Sequence, residues 1–143
     1  MSLRANFTTI YLREHLGDDK NDISDDLGFD FVGDQSTVFS FTIEKEPVGR
    51  GYFIINAYDV QKKWHRFEIN GNPFRSAGLF PDGSKGKWFT NFAIIPENVL
   101  HQGNNTFQVI REPGGDNFLI NDIVINWHEE VKTSRFNLFA RKE

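Results

Sequence analysis

The 143-residue chain contains no cysteine. This absence excludes a disulfide framework, a thiolate metal site and a thiol nucleophile. No stretch approaches the roughly 18 consecutive apolar residues of a membrane-spanning helix, and mean hydropathy is -0.48, so no membrane association is expected. An excess of basic charge is also lacking: 16 Lys and Arg stand against 20 Asp and Glu, a net charge of -4. That sign opposes a phosphate backbone, and nucleic acid is not an expected partner. The opening MSLRANF carries no apolar signal core, which sets the expectation of a cytoplasmic protein.

Aromatic residues are abundant. They make up 15% of the chain, Phe alone occurring 15 times, which opposes disorder. The length suits one domain, residues 1–143, able to bury about 68–70% of its unfolded surface. Short runs of β-type residues alternate with Gly, Asn, Asp and Pro punctuation. The alternation predicts strands near 5–12, 36–45, 51–61, 64–69, 86–95, 105–112 and 117–128. Asn70-Gly71 supplies the positive-φ residues of a tight turn, and Pro96–Leu100 reads as a single helical turn. Residues 129–141 fit a helix or a strand equally well. Two segments read as loops. One, residues 73–86, is long; the other, residues 14–34, is acidic, with eight acids against the single base Lys20. This many short strands with so little helical period point to an all-β sandwich or barrel.

Catalytic signatures are scarce. The four histidines include no i, i+2 pair that would place two ligands on one strand face. Alternation also separates His65 from Glu68. No Gly-x-Ser-x-Gly elbow occurs. Gly83-Ser84-Lys85 inverts the order of a phosphate loop and is followed by a strand rather than a helix. Glu68, Asp59 and Asp122 are the acids within strands that merit attention for glycoside hydrolysis. No catalytic residue is assigned.

The binding candidates are aromatic. Sugar rings present C–H faces that stack on aromatic planes, while Asn, Asp, Gln and Arg bond the hydroxyls. Trp64 and Trp88 flank the 73–86 loop, Phe74 and Phe80 lie within it, and Tyr58 is close to Trp64. Trp127 and Tyr52 are further candidate platforms. The same rings also serve as core in an ordinary sandwich. In the acidic loop, Asp18, Asp19, Asp22 and Asp25 offer the hard oxygen ligands that calcium prefers, although the loop lacks the pattern of an EF-hand.

Ile69-Asn70-Gly71, the strand ending at Ile94-Ile95-Pro96, and Leu100-His101-Gln102-Gly103-Asn104-Asn105-Thr106-Phe107 together resemble the galactose-binding-like jelly-roll domains. The sugar-binding domains of β-galactosidase-type glycosidases and many carbohydrate-binding modules belong to that group. The resemblance covers residues 51–127. It implies a jelly-roll sandwich of two antiparallel sheets and makes a structural calcium conceivable, with no other cofactor. A non-catalytic module for carbohydrate or a similar small polar ligand is the expected role. The alternatives are a protein-interaction or oligomer-forming sandwich, including a homo-oligomer, and an uncharacterised hydrolase.

Overall fold

Period-two alternation decides which side of each strand meets the core. In β4 (Gly51–Tyr58), Phe53, Ile55 and Ala57 are fully buried while Tyr52, Ile54, Asn56 and Tyr58 face away. In β9 (Phe118–Val131), Ile123, Ile125 and Trp127 point inward. The computed structural model describes residues 2–23, 28–62, 65–74, 85–112 and 114–131. These form nine strands, the others being β1 (Ser2–Leu16), β2 (Asp30–Gly33), β3 (Phe39–Ile43), β5 (Arg66–Ile69), β6 (Asn72–Phe74), β7 (Trp88–Ile95) and β8 (Gly103–Ile110). No helix occurs among the described residues.

The strands make two packed sheets, as expected, with the orders β2-β1-β9-β4-β7 and β3-β8-β5-β6. The sheets meet through three rings. Phe53 of the five-stranded sheet lies 4.8 Å from Phe67 and 6.1 Å from Phe107 of the four-stranded sheet, centroid to centroid. Phe67 and Phe107 stack at 5.8 Å.

Several expectations change in detail. Among the described residues every strand pairing is antiparallel except one, since β2 runs parallel to β1, Glu14 opposite Asp30 and Leu16 opposite Gly33. Both ends of the presumed 14–34 loop are therefore strand. The cause lies in Glu14, which is buried because its carboxylate accepts the backbone N–H of Thr37 at 2.9 Å and its hydroxyl at 2.5 Å. Residues 96–100 form a turn, with Asn98 at φ 69°, rather than a helical turn. Residues 129–131 extend β9 as strand. Of the 73–86 loop, residues 75–84 lie outside the described residues.

The motif that carries the family resemblance is a polar clip. Asn70 and Gly71, at φ 52° and 79°, form the two-residue turn joining β5 to β6. The Asn70 amide then donates to the Val99 carbonyl and to Asn105 Oδ1, each at 2.8 Å, and its oxygen accepts the Thr106 N–H at 2.8 Å. Asn105, fully buried, donates to the His101 and Gly103 carbonyls and accepts the His101 N–H. Asn105, not the exposed Asn104, closes the turn.

One end of the sandwich is sealed by Glu129. It is buried, accepts Arg4 Nε at 3.1 Å and Nη2 at 2.5 Å, and receives Asn6 Nδ2 and Trp127 Nε1 at 3.4 Å. These donors, Arg4 first, hold its carboxyl below the ordinary value of 4.5 against the opposing effect of burial. A carboxylate depressed in the folded state stabilises the fold above its unfolded pKa, and that stabilisation is lost as pH falls through the folded value. Glu129→Gln is expected to cost about 1–3 kcal/mol at neutral pH and to flatten the acid side of a melting-temperature profile. Equal acid limbs in wild type and variant would contradict this assignment.

Candidate functional site

The outer face of the five-stranded sheet gathers the exposed aromatic residues. β4 and β7 pair so that Tyr58 lies opposite Trp88, Asn56 opposite Thr90, Ile54 opposite Phe92 and Tyr52 opposite Ile94. β9 sets Asp122 beside Asn56, and β1 sets Tyr11 beside Asp122. The face therefore has three zones: an aromatic row at Tyr58 and Trp88, a polar row of Thr90, Asn56 and Asp122, and an apolar area containing Phe92, Ile94, Tyr52 and Phe7.

Trp88 is 46% exposed. Its ring lies 5.3 Å from Tyr58 and 6.0 Å from Phe29, the latter reaching in from the loop before β2. The Arg13 guanidinium sits 4.9 Å over the Phe29 ring. Arg13 occupies the bulge of β1, at φ 51°, which turns its side chain toward Gly28 O and Asn121 Oδ1 at 3.4 and 3.5 Å. Asp59 follows Tyr58 at φ 62° and accepts the Gly86 N–H at 2.6 Å, anchoring the turn that leads into Trp88.

Of the expected aromatic platform, the structure brings together Trp88 and Tyr58. Trp64, Phe80 and the side chain of Phe74 lie outside what is described. Trp127 is core, its inward β9 position leaving it almost no accessible surface. Phe29 and Arg13 went unrecognised in the sequence because they reach Trp88 only through the path of a loop across the sheet.

Two acids of the proposed calcium loop, Asp18 and Asp19, accept hydrogen bonds from within the chain. Asp18 Oδ1 accepts the Asn117 amide at 2.9 Å, which lowers its pKa, and Asp19 Oδ1 accepts the Asn21 N–H at 2.9 Å. Among the described residues no three acidic or histidine side chains converge on one point; Asp25 lies outside them. Asn117 itself fills the space beside Gly17, where a Cβ would come within 1.7 Å of its oxygen.

His65 proves to be a structural histidine. It is fully buried beneath Phe118, ring centroids 4.5 Å apart. Its Nδ1 accepts the Glu112 N–H at 3.1 Å, so Nε2 carries the proton donated to Asp116 Oδ2 at 2.7 Å. Asp116 also accepts the Gln61 and Lys62 N–H groups, and its backbone carbonyl accepts Arg111 Nη1. Both imidazole nitrogens are committed and no substrate reaches them. Glu68 pairs with Arg66 at 3.2 Å on the other side of β5. His65→Ala should destabilise the fold by about 3–5 kcal/mol in denaturant unfolding, because it removes one member of a buried pair. A loss below about 1 kcal/mol would contradict that role.

Solved structures share this architecture at low sequence identity. A β-porphyranase of glycoside hydrolase family 86 from the human gut bacterium Bacteroides plebeius aligns with 91% of this chain at TM-score 0.54 and 18% identity. A GH26-CBM35 β-(1,4)-mannanase from Podospora anserina aligns with 90% at TM-score 0.52 and 14% identity. The CBM36-1 domain of a multidomain xylanase from the hindgut metagenome of Trinervitermes trinervoides aligns with 84% at TM-score 0.50 and 14% identity. The chain spans 21% of the porphyranase and 29% of the mannanase, but 96% of the CBM36 domain. The fold is thus the two-sheet β-sandwich of these domains, the architecture that the Asn70-Gly71 and Leu100–Phe107 motifs implied. No curated protein matches the chain in sequence. Residues 4–129, nearly all of the sandwich, match the model of DUF7383, described as a family of unknown function, and the chain belongs to that family.

Proposed function

We propose that the chain is a non-catalytic carbohydrate-binding module whose ligand lies on the outer face of the five-stranded sheet, across Trp88 and Tyr58. One observation carries this reading: an exposed indole, braced by Tyr58 and Phe29, stands directly beside the polar row Thr90–Asn56–Asp122. A pyranose needs that pair of surfaces. Its C–H face stacks on an aromatic plane, and its equatorial hydroxyls require donors and acceptors on the same face, here two residues along the strand, about 7 Å away. The similar CBM36 domain and the two glycoside hydrolases support carbohydrate as the ligand class. A second reading, protein interaction, draws on the apolar zone of the same face.

The test is a glycan array followed by titration calorimetry with the best-bound oligosaccharide. Trp88→Ala is expected to weaken binding about tenfold or more, equivalent to about 1.4 kcal/mol. The variant should lose only about 1 kcal/mol of stability, from its ring contacts, and not the 3–5 kcal/mol of a core aromatic. Absence of any bound glycan, or binding indifferent to Trp88→Ala, would remove this reading.

A further inference from the structure

Edge strands are ordinarily blunted, because their free N–H and C=O groups invite another strand. Three of the four sheet edges here follow that rule. β2 has four residues, β3 five, and β6 three including Pro73. β7 does not. It runs for eight residues, WFTNFAII, with no charge and no proline. Among the described residues its one neighbour is β4. Phe92 and Ile94 on this strand are 60% and 50% exposed.

The orientation of its backbone can be read from two hydrogen bonds. Lys87 O accepts the Asp59 N–H at 3.1 Å, so the odd positions of β7 turn their polar groups toward β4. Trp88, Thr90, Phe92 and Ile94 therefore turn theirs toward the open edge. The Phe92 N–H is held at 2.8 Å by the side-chain oxygen of its neighbour Asn91, a local substitute for a strand partner.

We propose that β7 pairs with β7 of a second copy of this chain, antiparallel about a two-fold axis through Phe92, joining two five-stranded sheets edge to edge. An isologous contact must be complementary to itself, and this register is. With Phe92 opposite Phe92, Thr90 faces Ile94, Trp88 reaches the partner strand's end at Pro96, and at both ends Lys87 comes near Glu97 in the turn just beyond that strand. Lys87 and Glu97 are both exposed, so each end brings opposite charges together. Sliding the register by two residues in either direction separates Lys87 from Glu97. Phe92, Thr90 and Ile94 all present edge-facing backbone, so the pairing forms about six main-chain hydrogen bonds. The outward rings meet on one face, where aromatic and β-branched cross-strand pairs are favourable. This pairing does not depend on the carbohydrate reading, and its test involves no sugar.

Light scattering coupled to size exclusion on the full chain should give twice 16.6 kDa. Lys87→Glu should return the protein to monomer by setting like charges opposite each other at both ends, and the double variant Lys87→Glu/Glu97→Lys should restore the dimer. The absence of cysteine allows a geometric test. Hydrogen-bonded partners across an antiparallel ladder have Cα atoms about 5.5 Å apart, within disulfide range. Phe92→Cys should therefore cross-link under mild oxidation. Thr90→Cys, displaced from its own copy by about four residues or 13 Å, should not. Both positions are exposed, so melting temperatures report whether the variants fold. A wild-type monomer at concentrations up to about 1 mM would overturn the proposal. So would a dimer insensitive to Lys87→Glu, or equal cross-linking at both positions.

Discussion

The contact of Phe53 with Phe67 and Phe107 is the constraint on which the rest of the structure depends. It ties the five-stranded sheet to the four-stranded one at their centres. Because side chains alternate along a strand, burying Phe53, Ile55 and Ala57 obliges Tyr52, Ile54 and Tyr58 to face outward. A slip of one residue would exchange the two sets. The aromatic display on the outer face is thus the other side of the core pattern. β4 carries large apolar groups on both faces, as a strand with something to cover on each side would.

The polar network has a different task. Asn70 and Asn105 bind the β5–β6 turn to the segment entering β8, while His65, Asp116, Arg111 and Asp34 connect the loops at another part of the sandwich. Among the described residues no buried side-chain nitrogen or oxygen lacks a partner. Buried groups satisfied in this way specify a single arrangement of loops, because any alternative leaves a donor or acceptor without its bond. The sheets supply the platform, and this network sets the height and direction of the loops around it.

What could be read from the residues follows from the range of the interactions. The strands of the sandwich centre were legible because alternation is local, and the family resemblance was legible because Asn70, Gly71 and Asn105 must occupy fixed turn positions. The end of β1 is not legible in the residues: it contains Arg13, Glu14 and His15, which look solvent-facing until Thr37 and Asn117 are placed beside them. The same limit applies at the site. Trp88 and Tyr58 are thirty positions apart and meet through strand pairing, which their alternation allows. Phe29 and Arg13 join them by a loop route that no periodicity encodes.

The pairing of β1 with β9 also governs the order in which the molecule can be made. Ser2 lies opposite Val131, and the ladder continues inward to Leu16 and Phe118. Each contact of this central ladder closes a long loop, the shortest between Leu16 and Phe118, so its entropic cost falls early and its reward comes late. During synthesis from the N-terminus, β1 and β4 must wait for the same missing neighbour, since β9 lies between them. Until it emerges, two long strands rich in Phe, Tyr and Ile remain open on the growing chain. The inner position of β9 makes its emergence the step that joins the two halves of the five-stranded sheet.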